Sequence, residues 1–446
     1  MSLAKAPVTM TVRAIAAGVF AVAFFAIALA QSDATDPGPR GGPPGAGAKI
    51  AGLTGIESDS FDQGLESFNE IASVTGSVPD TEAGLGPRFN LNSCAGCHAH
   101  PDVGGTSPAA NPQTSESVAP LPQINALLNL GIIRLDGPVR EVRFSNDGGV
   151  HDLFTITGLE GAEGCTILQP DFAGAGGQLR FRIPTPLFGG GLIEAIEDAA
   201  ILANEAASKP NGISGRANRN GNDGTVTRFG WKAQNKSLTI FSGEAYNVEQ
   251  GITNELFPDE RGEGGVPDPP ACRQIVPGPQ DRPSGGEPDD VNNFANFMRF
   301  LAPPEPVSAY GSVTTAQIAM GFDAFKKVGC DGCHKPSMTT GNHLSEALRY
   351  KAVNLFSDLL VHDVGTGDDI AQGLANGAQF RTAPLWGLGQ RLFFMHDGSA
   401  LNLVDAINAH GGEAATVIRS YRGIGNPSNR LTATERQNLL NFLRSL

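Results

Sequence analysis

Four of the six cysteines of this chain fall into two copies of one five-residue pattern, Cys94-Ala95-Gly96-Cys97-His98 and Cys330-Asp331-Gly332-Cys333-His334. Two thiols separated by two residues sit about one helical turn apart, so both can reach the vinyl groups of a single porphyrin while the adjoining histidine meets the iron. Redox dithiols and zinc sites also use C-x-x-C, but neither needs the following histidine, and here it occurs twice. The pattern predicts two covalently bound c-type haems, attached through Cys94, Cys97, Cys330 and Cys333, with His98 and His334 as proximal iron ligands. Such a chain must enclose two large apolar macrocycles, and therefore needs two haem-wrapping units.

The composition fits a folded, loop-rich protein. The 446 residues are 40% hydrophobic and 17% charged, with 57 glycines and 31 prolines. Charged residues are fewer than the roughly 25% of an average soluble domain, while Gly and Pro together run well above average usage. The formal net charge of -14 disfavours nucleic acid and anionic membrane faces as partners. The same figures exclude a collagen, a coiled coil and a multi-span membrane protein.

The N-terminus carries Lys5 and Arg13, then an uncharged run from Ala14 to Ala30 that ends in Ala28-Leu29-Ala30. A basic start, an apolar middle and small residues at the cut describe a secretory signal peptide over 1–30. The Gly/Pro-rich stretch 31–50 then reads as a tether. Export points to a periplasmic location with no stable membrane insertion after cleavage. In that oxidising compartment the default state of Cys165 and Cys272, which have no haem to serve, is a disulfide.

The chain also repeats itself. Gly64 to Phe68 precedes the first haem motif as Gly321 to Phe325 precedes the second. Phe181-Arg182-Ile183-Pro184 follows the first as Phe380-Arg381-Thr382-Ala383-Pro384 follows the second. Each half closes on an apolar-periodic segment, Asn293 to Leu301 and Asn438 to Leu446, that reads as a helix packed on a core. The repeat gives an N-terminal haem domain over 51–303, enlarged by insertions, and a C-terminal one over 304–446, with Pro303-Pro304 at the joint. The expected class is mostly α with long loops. Thr225 to Trp231 is a candidate short strand in the insertion.

Phe380-Arg381-Thr382-Ala383-Pro384-Leu385-Trp386-Gly387-Leu388-Gly389, followed by His396-Asp397-Gly398, resembles the bacterial di-haem cytochrome c peroxidase superfamily. Gly84 to Asn90, Gly191 to Ile196, Gly212 to Arg216, Arg228 to Ala233, Ser357 to Asp363 and His410 to Ala414 resemble its di-haem oxidoreductase branch, often labelled thiol oxidoreductase. The resemblance implies two cytochrome c-like domains facing each other, one haem for chemistry and one for electron relay. It also implies an acid–base glutamate downstream of the first-domain turn. Glu194 fills that role here, after Gly189-Gly190-Gly191, although the Trp-Asp-Gly turn usual before it is absent; Glu197 is the fallback, and an ordinary helix N-terminal acid is the plainer reading of Glu194. An aromatic that bridges the haems is expected at Trp231 or Trp386, against a plain packing role for each.

The histidines sort by position. His100 follows His98 too closely to reach the far face of the same iron. His151 and His343 sit in polar loops, His362 reads as a satisfied core residue, and His396 as the group that holds its turn by hydrogen bonding. His410 ends a short apolar-periodic helix after the His-Asp-Gly turn, where relatives place a second axial ligand that is Met or Tyr. It is assigned as that ligand, with Met395 as the competitor. The function expected is a periplasmic di-haem oxidoreductase that reduces hydrogen peroxide, or another small oxidant, at the N-terminal haem. An external donor, either a small redox protein or an organic reductant, supplies electrons through the C-terminal haem. The alternatives are an electron-transfer cytochrome without peroxidase activity and a haem-dependent oxygenase.

Overall fold

The computed structural model describes residues 34–273 and 278–446, so the expected signal segment 1–30 lies outside the described residues. Two helix pairs frame the fold. Helix Gly55–Asn69 starts at a capping box between Thr54 and Glu57, and helix Thr315–Val328 at one between Thr314 and Gln317. The first crosses helix Asp290–Phe300, the second helix Ala433–Leu443. The two crossings are equivalent residue by residue. A Cβ at Gly64 would stand 2.3 Å from the Asn293 carbonyl oxygen, and one at Gly321 would stand 2.0 Å from that of Asn438. Glycine is required at both because the partner backbone occupies the space. Phe68 and Phe297 then pack at 4.7 Å, as Phe325 and Phe442 do at 5.7 Å.

Among the described residues the fold holds twelve α-helices and six two-stranded pairings, all of short strands. The longest pairing joins Glu141–Phe144 to Leu179–Arg182. The Thr225 to Trp231 segment supplies strand Val226–Thr227, which pairs with Asn218–Arg219. One buried core runs continuously from Phe68 and Phe297 of the first half to Leu348, Leu355 and Leu360 of the second. Asp368 of the second half ties the halves further by accepting from Arg182 at 2.5 Å and Lys232 at 2.9 Å, all three groups being buried. A second core, with Phe89, Leu127, Val142 and Phe154, belongs to the insertion. There Cys165 and Cys272 are disulfide-bonded across a sequence separation of 107, closing a loop whose tethering is worth about 4–5 kcal/mol in the chain-entropy model.

The segment read as a tether is docked along its described part. Arg40 N–H donates to the Gly389 carbonyl, Ala302 N–H to that of Ala48, and Ile50 N–H to that of Phe300. The buried Asp36 carboxylate receives Arg444 Nε at 2.8 Å and Nη2 at 2.7 Å. Glycine and proline here serve a strap without regular structure, whose polar groups are satisfied by both halves. Among the described residues no helix is long and apolar enough to cross a membrane.

Candidate functional site

Both C-x-x-C-H motifs open into large cavities. In the second half, helix Thr315–Val328 ends at Gly329 in the left-handed conformation, φ 97°, which turns the chain directly into Cys330. Cys330, Cys333 and His334 line a cavity of about 1430 Å³ with Phe325, Leu388, Phe394, Leu403 and Leu443. In the first half, Cys94, Cys97 and His98 line a cavity of about 1040 Å³. None of the four motif cysteines is joined to another, whereas Cys165 and Cys272 are. Burial pushes the Cys94 and Cys330 thiols up to about 12, so neither has the thiolate character of a redox dithiol. The donor set fits thioether-linked haem in both cavities.

The histidines of the two motifs are held alike. His98 Nδ1 donates to the Gly105 carbonyl at 3.0 Å, and His334 Nδ1 to that of Phe356 at 3.0 Å. That bond fixes the tautomer and leaves Nε2 with a free lone pair. Burial pushes His98 down to about 4, and burial together with the neighbouring His410 does the same to His334. Each ring is therefore neutral at pH 7, as an iron ligand must be. His410 shares the device. It caps helix Leu403–Ala409, lines the same cavity as His334, and gives Nδ1 to the Ala406 carbonyl at 2.7 Å. Met395 lines that cavity as well, from a left-handed position with φ 65°. His396 does not hold its turn by hydrogen bonding as the sequence reading has it. Its ring stacks on Phe380 at 3.9 Å, while Asp397 accepts from Ser399 N–H. His362 is satisfied between Asp358 at 3.1 Å and Glu413 at 3.0 Å. His100 reaches the Gln390 carbonyl at 2.7 Å, another tie between the halves, and His151 lies between Asp147 and Glu263.

The two cavities differ in lining. The second is apolar apart from its histidines, Arg381, Arg391 and a few hydroxyls. The first has His98 as its sole histidine among the described residues, and its polar wall carries Arg140, Glu141, Arg143, Arg182, Gln234 and Glu249. Trp231 lines both cavities and the narrow cleft between them, and donates Nε1–H to the Ile183 carbonyl at 2.8 Å. Trp386 lines the cleft alone and donates to Asn354. Of the two tryptophans, Trp231 is the one placed between the haem motifs.

Glu194 is elsewhere. It ends the short helix Gly190–Glu194, accepts from Leu238 N–H at 2.8 Å at the start of helix Leu238–Glu249, and pairs with Arg299 at 2.9 Å. It is absent from the wall of the first cavity. The glycines before it serve packing, since a Cβ at Gly191 would stand 2.0 Å from the Arg299 carbonyl oxygen. Glu194 is thus the helix N-terminal acid of the plainer reading, acting on a helix remote in sequence. Glu197, the fallback, is the N-cap of helix Asp198–Ala206 and also lies off that wall. Glu194→Gln is expected to leave the reaction with peroxide at the wild-type rate and to lower stability by about 1–2 kcal/mol. Stopped-flow absorbance and thermal unfolding check the two halves of that expectation.

The carboxylates that do line the cavity were not evident from sequence. Glu249 ends helix Leu238–Glu249, and Glu141 opens strand Glu141–Phe144 and pairs with Arg143. Burial, with Glu141 and Asp152 nearby, pushes the Glu249 carboxyl well above the usual range. No local motif marks either residue; only the i, i+3, i+4 face of the Leu238–Glu249 helix, with Ser242, Ala245, Tyr246 and Glu249 all on the cavity, could have pointed to Glu249.

The family described as "Di-haem oxidoreductase, putative peroxidase" matches residues 168–446. No curated protein matches the chain. Among solved structures the chain is similar to hydrazine synthase of Kuenenia stuttgartiensis, at 21% identity and TM-score 0.25, over 35% of this chain and 55% of that one. It is also similar to the dihaem peroxidase BthA of Burkholderia thailandensis, at 16% identity and TM-score 0.29, over 58% of this chain and 79% of that one. A MauG-like protein associated with microbial copper homeostasis aligns at 18% identity and TM-score 0.28, over 59% of this chain and 90% of that one. With the family match covering well over half of its length, the chain belongs to the di-haem oxidoreductase family.

Proposed function

We propose that the protein is a periplasmic peroxide reductase with two covalent c-type haems, one in each cavity, in cytochrome c-like halves that face each other across Trp231. The observation that carries this reading is the asymmetry of the cavities. The second offers two neutral histidines, His334 and His410, with Nδ1 anchored on both. A haem ligated on both faces is closed to peroxide and suited to relaying electrons. The first offers one histidine and two carboxylates. An electron-transfer cytochrome has no use for a partly buried acid pair in one cavity only.

When bound, haem supplies the redox chemistry that breaks the O–O bond. The chain's own part is the proton. Glu249, pushed toward its protonated form by burial and by its acidic neighbours, is placed to donate to the departing oxygen. Glu141, paired with Arg143 on the same wall, is placed to take up the proton of the incoming peroxide. Two carboxyls whose environments differ in this way divide the acid and base roles. Trp231 carries electrons between the sites, and the external donor is a small redox protein or an organic reductant.

Glu249→Gln tests the reading. It should keep both haems and slow the reaction with peroxide by roughly 10²–10⁴-fold, the usual worth of a positioned acid–base group. A variant with full haem content and wild-type reactivity removes Glu249 from the mechanism.

A further inference from the structure

Two arginines of the second cavity have charges that no group among the described residues answers. Arg381 is 8% exposed and Arg391 6%. Arg381 Nε donates to the Gly230 carbonyl at 3.1 Å, and Arg391 Nε to that of Phe393 at 2.9 Å. Beyond those bonds Arg381 Nη1 and Arg391 Nη2 are buried without any partner. Neither residue forms an ion pair among the described residues. Burial alone pushes each down to about 10, which still leaves both cationic at neutral pH. The internal repeat makes this pointed. Arg182 stands where Arg381 stands in the second copy, and it is fully compensated by buried Asp368 at 2.5 Å. A guanidinium withdrawn from water without a counter-charge is among the costlier features a fold can carry, so an absent anion is indicated.

The position narrows the anion. Both arginines line the second cavity and also the cleft that holds Trp231 and Trp386, a cleft lined by neither the motif cysteines nor the motif histidines. Arg381 N–H donates to the Trp231 carbonyl at 2.8 Å, and the Arg391 guanidinium lies 6.0 Å from the Trp231 ring. A haem joined to Cys330 and Cys333 through its vinyl groups would carry its carboxylates on the far edge, toward the rest of the cavity. Planar forks with free N–H groups match carboxylates. We infer that Arg381 and Arg391 are the carboxylate-binding pair of the C-terminal haem and anchor its propionates beside Trp231. This rests on the reading that a haem is joined at Cys330 and Cys333. Neighbouring positive charge favours the reduced haem, so the pair also holds that haem's potential up. Arg381 and Arg391 are positioning residues for the cofactor.

The test is spectroelectrochemical titration of the intact protein and of its Arg381→Gln, Arg391→Gln and Arg391→Lys variants, with haem content read from intact mass. Both Gln variants should keep two haems by mass. Their C-terminal haem should favour the oxidised form at least tenfold more than in the wild type, a fall of about 59 mV for one electron. Arg391→Lys, which keeps the charge but not the fork, should fall less. Two haems with an unchanged potential in both Gln variants overturns the inference. A wild-type potential that shifts on adding acetate, and no longer does so in the variants, means the arginines take a diffusible carboxylate, and overturns it as well. A wild-type mass lacking the haem at Cys330 and Cys333 instead removes the underlying reading. If the Gln variants fail to fold, Arg391→Lys alone decides: a potential equal to that of the wild type, with the same acetate response, counts against a bidentate carboxylate contact.

Discussion

Replacing Cys330 and Cys333 together by alanine is expected to lower the mass of the mature protein by one haem and to leave the other in place. The two thiols line a largely apolar cavity of about 1430 Å³ and neither is in a disulfide. They are not a disulfide held in reserve, because the chain forms its one disulfide elsewhere, between Cys165 and Cys272. A cavity of this size, lined by Phe325, Leu388, Leu403 and Leu443, contributes to stability only when an apolar group fills it. Whatever fills it is a folding ligand, and its loss should lower thermal stability along with haem content. Intact-mass measurement before and after extraction in acidified solvent reads the covalent count. A double variant that still carries two solvent-resistant haems, or a wild-type protein that carries one or none, would sink the assignment.

His410→Ala is expected to convert the C-terminal haem from low-spin to high-spin and to leave the N-terminal haem unchanged. The argument is geometric. His410 and His334 line one cavity, and His410 is near enough to help push His334 down to about 4. Each donates Nδ1–H to a backbone carbonyl, of Ala406 and Phe356 respectively, so each keeps Nε2 free as a donor. Anchoring costs the ring its rotational freedom before any metal binds, which lowers the entropy lost on ligation. Met395, the competitor, lines the same cavity with no comparable anchor, so Met395→Leu should leave the spin state as it is. Electron paramagnetic resonance of the ferric protein separates the two variants. A low-spin C-terminal haem that survives in His410→Ala and is lost in Met395→Leu reverses the assignment.

The legible parts of this protein are those in which chemistry or packing binds residues close in sequence. The C-x-x-C-H units are local by construction. The glycines at 64 and 321 recur at one spacing before each motif because each admits the backbone of the closing helix, and so the repeat could be read before its cause was visible. The Cys165 and Cys272 pairing followed from compartment and count alone. Glu194 misled because a run of three glycines suggests close approach without saying of what; at Gly191 the approaching group is the Arg299 carbonyl, not a ligand. Glu249 and Glu141 were invisible for the opposite reason. Each is an ordinary exposed-type residue in sequence and becomes an acid–base candidate only when folding sets both beside Cys94, Cys97 and His98. The unanswered arginines could not be inferred either, because a missing counter-charge is a property of three-dimensional surroundings. Composition also failed for residues 34–50: glycine and proline content does not distinguish a loose spacer from a docked strap whose partners lie hundreds of positions away.

That strap has a bearing on the order of assembly. The Asp36 carboxylate is held by Arg444, at a sequence separation of 408, and Arg40 is held by the Gly389 carbonyl. A ribosome delivers Asp36 long before Arg444, so the strap can be set in place only after the residues that hold it have been made. Contacts of such long range form late because the loop they close must first be paid for in entropy. Until then, both C-x-x-C-H motifs lie in a chain whose strap is unlatched. Closing the strap joins Asp36 to Ile50 with Phe300, Ala302, Gly389 and Arg444 in one seam. The strap thereby latches two halves that are already in place.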